Sequence, residues 1–331
     1  MGLLLAVAVG RAATNAPVKP SPRPPASTNA TAGDPIEAAY RKLLADDDAA
    51  QTEIGRWLRE TNAFRVQGVD FSNFTLNSKI EQRLAPVRKA YQDFVDLHPD
   101  HVRARLAFGS FLGDLGDNDA AVAQWQKARD LDPKNPAAWN NLADYYSRQG
   151  MPDKAFACLD EARKINPTEV VYVRNLATLI FLERAAAQEH YHLADEQAVL
   201  RRALDLFRQS RREEPDDFPL ATDLAQVYYY LKPEPKADPA EAKAAAAKLT
   251  DEAIQAWMDA RKLARTELER EAVGLHLARV SLAAGRRDAA RAYLAEVKQP
   301  ALVESRQALM AEIDPPAPPV PAAPETKKGE P

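Results

Sequence analysis

Few residues in this chain are spaced for chemistry. Its five histidines include His190 and His192, two apart in Glu189-His190-Tyr191-His192. On a helix that spacing turns the two imidazoles to different faces. They cannot share a metal ion or relay a proton, so they read as part of a solvated segment. No His-Glu-x-x-His pair, glycine-rich phosphate loop or nucleophile elbow occurs. Asp46-Asp47-Asp48 offers oxygens to a cation. Aspartate also competes with the helical backbone for hydrogen bonds, so the run is expected to mark a helix boundary. Cys158, the single cysteine, excludes an intramolecular disulfide and any multi-thiolate metal site within one chain. Its setting, Ala155-Phe156-Ala157-Cys158-Leu159, is that of a small core residue rather than of a reactive thiol. The sequence therefore predicts no catalytic residue, no metal ligand and no cofactor.

The elements that would have to position any site are helices. Glycine is scarce, 12 against 25 prolines in 331 residues, whereas β-rich and nucleotide-binding folds use glycine for turns and phosphate loops. Apolar residues make up 46% and charged residues 28%, the balance of a folded protein. The 44 Lys and Arg are spread along the chain and outnumbered by 48 acids, for a net charge of −4. Nucleic-acid affinity comes mostly from clustered cations neutralising phosphates, so no nucleic-acid partner is expected.

An internal repeat organises the chain. Pro133 and Pro167 each close a similar phrase, Ala128-Arg129-Asp130-Leu131-Asp132-Pro133 and Ala162-Arg163-Lys164-Ile165-Asn166-Pro167. The shift that brings one proline onto the other also brings Gly109 onto Ala143, Gly116 onto Gly150 and Ala121 onto Ala155. Trp139, Leu142, Ala143 and Tyr146 fall at i, i+3, i+4 and i+7, one face of a helix, and Ala155, Leu159 and Ala162 form the face of the next. Gly150 suits the left-handed turn between the two, Asn135-Pro136 starts the first helix, and Pro167 stops the second. With this period and these residue types, the chain resembles the tetratricopeptide repeat family. The first repeat, with Phe108, Gly109, Leu112, Gly116, Ala121, Trp125, Ala128 and Pro133, departs at the Trp slot, which holds Arg105.

The resemblance implies an all-α fold, an α-α superhelix or solenoid, with a divergent N-terminal helical cap and disordered termini. Repeats are expected at 102–135, 136–169, 170–217, 218–265 and 271–300. The third and fourth carry insertions, at 181–200 and 231–250, placed at the turn between paired helices. Asp238-Pro239-Ala240-Glu241 starts a helix that the following alanines extend as one rod over 239–263. Residues 301–314 read as a closing helix that covers the last apolar face. Residues 34–100 form the cap, with helices expected over 35–46, 49–63 and 78–97 and a loop around Gly68 to Asn77. Residues 1–16, with the apolar run Leu3 to Val9, are similar to a short signal peptide, so export to the periplasm or outside the cell is expected, with a cytoplasmic location as the alternative. That run is far too short to span a bilayer. Residues 17–33 and 315–331 are proline-rich and expected to be disordered.

What the resemblance implies about function is a protein or peptide partner lying against the first helices of the repeats. The slots that would face it are Arg103, Leu106 and Ser110; Asn140 and Asp144; Arg174 and Thr178; and Thr222, Gln226 and Tyr229. Arg174 and Asn140 suit backbone carbonyls or a carboxylate, and Tyr229 offers flat area at low entropic cost. The Lys and Asn pairs with which some relatives clamp a terminal carboxylate are not found at these slots. Two alternatives stay open at this point: an enzyme or enzyme subunit using the cap or the insertions, and a self-assembling spacer.

Overall fold

The computed structural model describes residues 34–66 and 73–314; the expected leader, linker and tail lie outside them. The described residues form helices and no strand. They fall into two compact units, 34–206 and 207–314. The first contains α1 (Pro35–Val66), α2 (Asn73–Leu97), α3 (Val102–Asp114), α4 (Asn118–Leu131), α5 (Pro136–Arg148), α6 (Pro152–Ile165), α7 (Val170–Leu182), α8 (Arg184–His190) and the start of α9 (Glu196–Glu213). The second contains the end of α9, then α10 (Phe218–Val227), α11 (Pro239–Leu263), α12 (Glu267–Ala283), α13 (Arg287–Ala295) and α14 (Val303–Ile313). No described helix is long and apolar enough to cross a membrane.

Helices α3 with α4 and α5 with α6 pack as hairpins, and the slots that recur from one repeat to the next are what they bury. Leu142, Ala143, Ala155, Leu159 and Ala162 are all inaccessible. Burying each leucine side chain contributes about 2 kcal/mol, and each alanine lets the two backbones approach. Between the helices Gly150 takes φ 66°, and Met151 N–H donates to the Tyr146 carbonyl at 2.9 Å. Gly116, φ 79°, closes the preceding hairpin through Asp117 N–H to the Leu112 carbonyl, also at 2.9 Å. This closure satisfies carbonyls left open at a helix C-terminus, and the left-handed residue inside it favours glycine.

The Trp slot has a second task. Trp139 Nε1 donates to the Pro133 carbonyl at 2.9 Å, tying the start of α5 to the end of the preceding repeat. Arg105, which occupies that slot one repeat earlier, makes the same link, its Nε donating to the Pro99 carbonyl at 2.7 Å. The substitution keeps the N–H donor and gives up the ring.

The cap departs from expectation. Asp46-Asp47-Asp48 does not end a helix: α1 runs through it without a break. Tyr40, Leu43, Asp47, Ala50 and Ile54 form its buried stripe, with Asp46 and Asp48 exposed on either side. Asp47 is fully buried and accepts from Tyr91 Oη at 2.7 Å. The expected loop is also shorter, since α2 already begins at Asn73; residues 67–72 lie outside the described ones. Tyr91 in α2 stacks on Phe108 of α3, with centroids 5.3 Å apart and planes 5° apart. One ring thus joins the cap to the first repeat while its hydroxyl serves the buried carboxylate. Tyr91→Phe keeps the stack and removes that donor. It should lower stability by about 2 kcal/mol in urea denaturation, the cost of depriving a buried acceptor of one hydrogen bond.

The insertions are structured. In the third repeat, α8 and an N-terminal extension of α9 occupy the inserted stretch. In the fourth, α11 is the rod expected over 239–263, capped by Asp238, whose side chain accepts from Glu241 N–H at 2.9 Å. Its packing residues, Ala253, Trp257 and Ala260, all lie in the C-terminal half. At the end of the second unit, Leu309 and Ile313 of α14 join Leu275, Ala278, Ala290, Leu294 and Val297 in one apolar cluster. That helix closes the face α12 and α13 would otherwise leave open.

Candidate functional site

The slots expected to meet a partner are not equally accessible. On α3, Leu106 is 1% exposed, which places it in the core and removes it as a contact. The first-helix pattern was legible at this position, but what covers it was not. Arg103 pairs with Glu37 of α1, lies 4.9 Å over the Tyr40 ring, and has its own carbonyl bonded by Tyr40 Oη at 3.2 Å. Burial works to raise the Glu37 carboxyl, but the guanidinium groups of Arg103 and Arg41 outweigh it and hold the acid below its ordinary range. Arg103 therefore belongs to the joint between cap and first repeat. Ser110 remains partly exposed, its hydroxyl donating back to the Leu106 carbonyl at 3.1 Å.

On α5, Asn140 is fully buried and accepts from Asn175 Nδ2 of α7 at 2.8 Å. This amide pair links consecutive first helices, and Asn175, which lies outside the predicted set, is its other half. Asp144, 8% exposed, is gripped by Arg148 at 3.0 and 3.1 Å. Burial lifts its carboxyl above the ordinary range against the pull of that arginine. Arg174 on α7 is buried, and Thr178 is partly exposed. Of the polar slots on α5, Asn140 is thus spent on the neighbouring first helix and Asp144 on its own.

In the second unit, Thr222 of α10 is buried and donates to the Pro219 carbonyl at 2.7 Å, while Gln226 keeps partial exposure. Tyr229 is not a flat open platform. Its hydroxyl lies 2.8 Å from His276 Nδ1 of α12, and its ring tilts against Trp257 of α11 at 5.8 Å. His276 stacks on Trp257, centroids 4.1 Å apart and planes 2° apart. Burial, with Arg279 nearby, pushes the imidazole down to about 3. Burial likewise raises the Tyr229 phenol, which stays a donor. His276 gave no signal in the sequence beyond being an isolated histidine on an apolar helix.

Comparisons with known proteins agree with this architecture. Two models match the chain, one described as TPR repeat over residues 112–150 and one as tetratricopeptide repeat over residues 136–169. No curated protein matches it. Among solved structures, Pseudomonas aeruginosa PilF is 15% identical, with 81% of this chain and 99% of that chain covered at a TM-score of 0.50. YrrB, described as a TPR protein with an unusual peptide-binding site, is 12% identical, with 68% and 97% covered at 0.49. PilW, described as a type IV pilus biogenesis factor, is 16% identical, with 72% and 95% covered at 0.49. The likeness to PilF speaks for the fold alone. The hairpins α3–α4 and α5–α6, their glycine-closed turns and two matching repeat models over 112–169 agree on one conclusion: the chain contains tetratricopeptide repeats.

Proposed function

We propose that this chain is a protein-interaction scaffold, without chemistry of its own, that holds a partner peptide or helix against the first helices of its repeats. The observation that carries the reading is the repeat array itself. Its packing slots are spent on hairpin cores, whereas Ser110 and Thr178 in one unit and Gln226 in the other keep side chains partly exposed on first helices. An array of this kind gains extended surface with each repeat and needs no catalytic group to use it.

Thr178→Arg and Ser110→Glu test the reading. Both positions are partly exposed, so the melting temperature should stay within a few degrees of wild type. Affinity capture from the native host with quantitative mass spectrometry should recover a protein with the wild-type chain and at least tenfold less of it with the double variant. Undiminished recovery by a folded double variant would overturn the assignment of these slots. Export belongs to the same reading and rests on the apolar run Leu3 to Val9. Sequencing the N-terminus of the protein from its host tests it.

A further inference from the structure

The insertion in the third repeat is fastened to the preceding one by a pair of residues. Helix α8 packs on α6, and at its C-terminal end His190 and the following Tyr191 both rest on the buried Phe156 ring, at 5.2 and 5.4 Å. Tyr191 Oη donates to both oxygens of Asp160, at 3.1 and 3.2 Å, and the Arg202 guanidinium lies 4.1 Å over its ring. His190 stands between two carboxylates of α6, Nδ1 at 3.7 Å from Asp153 and Nε2 at 3.6 Å from Asp160. The expectation that this histidine is merely solvated is thereby corrected: its side chain is 24% exposed. His192, two residues on, leaves the helix with φ 51° and carries the chain toward α9.

We propose that the charge on His190 sets how firmly the insertion helix α8 is held against α6, making this joint a pH-responsive fastener. At 3.6 and 3.7 Å the ring and the two carboxylates are linked by charge rather than by hydrogen bonds, and a neutral imidazole, with one N–H and one lone pair, must turn its lone pair toward one of them. The imidazolium, positively charged with an N–H on each side, is attracted to both. Imidazole is the side chain whose charge changes near neutral pH. Other charged groups surround the joint. Asp153 and Asp160 come from α6, Glu189 adjoins in sequence, and Arg163 and Arg202 act on Tyr191. Lys154, beside Asp153, lies 5.4 Å over the Tyr146 ring.

The fastener matters because α8 cannot hold itself. It has seven residues, fewer than a helix needs to persist alone in water, so its order depends on docking. Its residues Arg184, Ala185 and Gln188 also line a cleft of about 470 Å3 with Leu182, Glu183 and Glu196. Loosening the end held by His190 therefore loosens one wall of that cleft.

Hydrogen exchange of the full-length protein, read on peptides covering 184–193 at pH 5.5 and 8.0 and corrected for intrinsic rates, tests the proposal. Protection should be about two- to fivefold greater at pH 5.5, the range an exposed ion pair provides. His190→Gln should abolish that difference. Asp153→Asn, which leaves the Tyr191–Asp160 bond in place, should reduce it. Equal protection of the wild type at both pH values, or the same pH dependence in His190→Gln, would overturn it.

Discussion

Gly109→Ala should destabilise the protein by about 2 kcal/mol, although alanine is the better helix former by about 1 kcal/mol. A Cβ at position 109 would lie 2.4 Å from Trp125 Nε1, 2.6 Å from Cδ1 and 2.9 Å from Cε2, closer than atoms can approach. The indole would have to turn within a packed interior, and its N–H bond to the Leu106 carbonyl, 3.4 Å long, would go with it. The next repeat shows why the penalty is specific. There the repeat shift places Ala143 at the glycine slot and Leu159 at the Trp125 slot, and both are fully buried. Leucine leaves room for the methyl that tryptophan does not. A double-mutant cycle decides the matter. Trp125→Leu alone should cost about 3 kcal/mol through lost contacts, but in that background Gly109→Ala should be neutral or stabilising. Urea denaturation of the four proteins would refute the steric account if Gly109→Ala cost the same in both backgrounds.

The second large effect is on acid stability. His276 stays neutral in the folded protein down to about pH 3, because burial and Arg279 oppose its charge. In the unfolded chain the same ring protonates near pH 6.5. Below that value the unfolded state gains a proton that the folded state refuses, so stability falls as the pH is lowered through 6.5 and goes on falling toward 3. Between pH 7 and 5 this group should remove on the order of 1–2 kcal/mol, allowing for the partial exposure of the residue. His276→Phe keeps an aromatic on Trp257 and has no proton to bind. Its urea stability should change less with pH over that interval, by the same amount. His101, lowered by burial and by Arg103, titrates in both proteins and cancels in the comparison. Identical pH slopes for the two proteins would remove His276 as the cause.

Much of the fold was legible because its signals are local. A helix face at i, i+3 and i+4 and a turn glycine each need only a few neighbouring residues to be read. The repeat shift then says that neighbouring hairpins pack alike, and Gly109 with Trp125 against Ala143 with Leu159 is that rule at atomic detail. The errors fell where a partner is remote. Asp47 looked like a helix breaker because the hydroxyl that satisfies it belongs to Tyr91, 44 residues away. His190 looked solvated because Asp153 and Asp160 belong to another helix.

The candidate partner surface divides in the same way. Helical periodicity assigns each expected slot to a first helix, and all but Tyr229, which falls in the turn after α10, lie on one. Which of them remain available depends on packing between helices. Leu106 is taken into the core, Asn140 is answered by Asn175 from 35 residues on, Arg103 by Glu37 from 66 residues back, and Tyr229 by His276 from 47 residues on. Periodicity fixes the direction of a side chain relative to its own helix. Its burial depends on what the next helix brings to meet it, and that information lies tens of residues away.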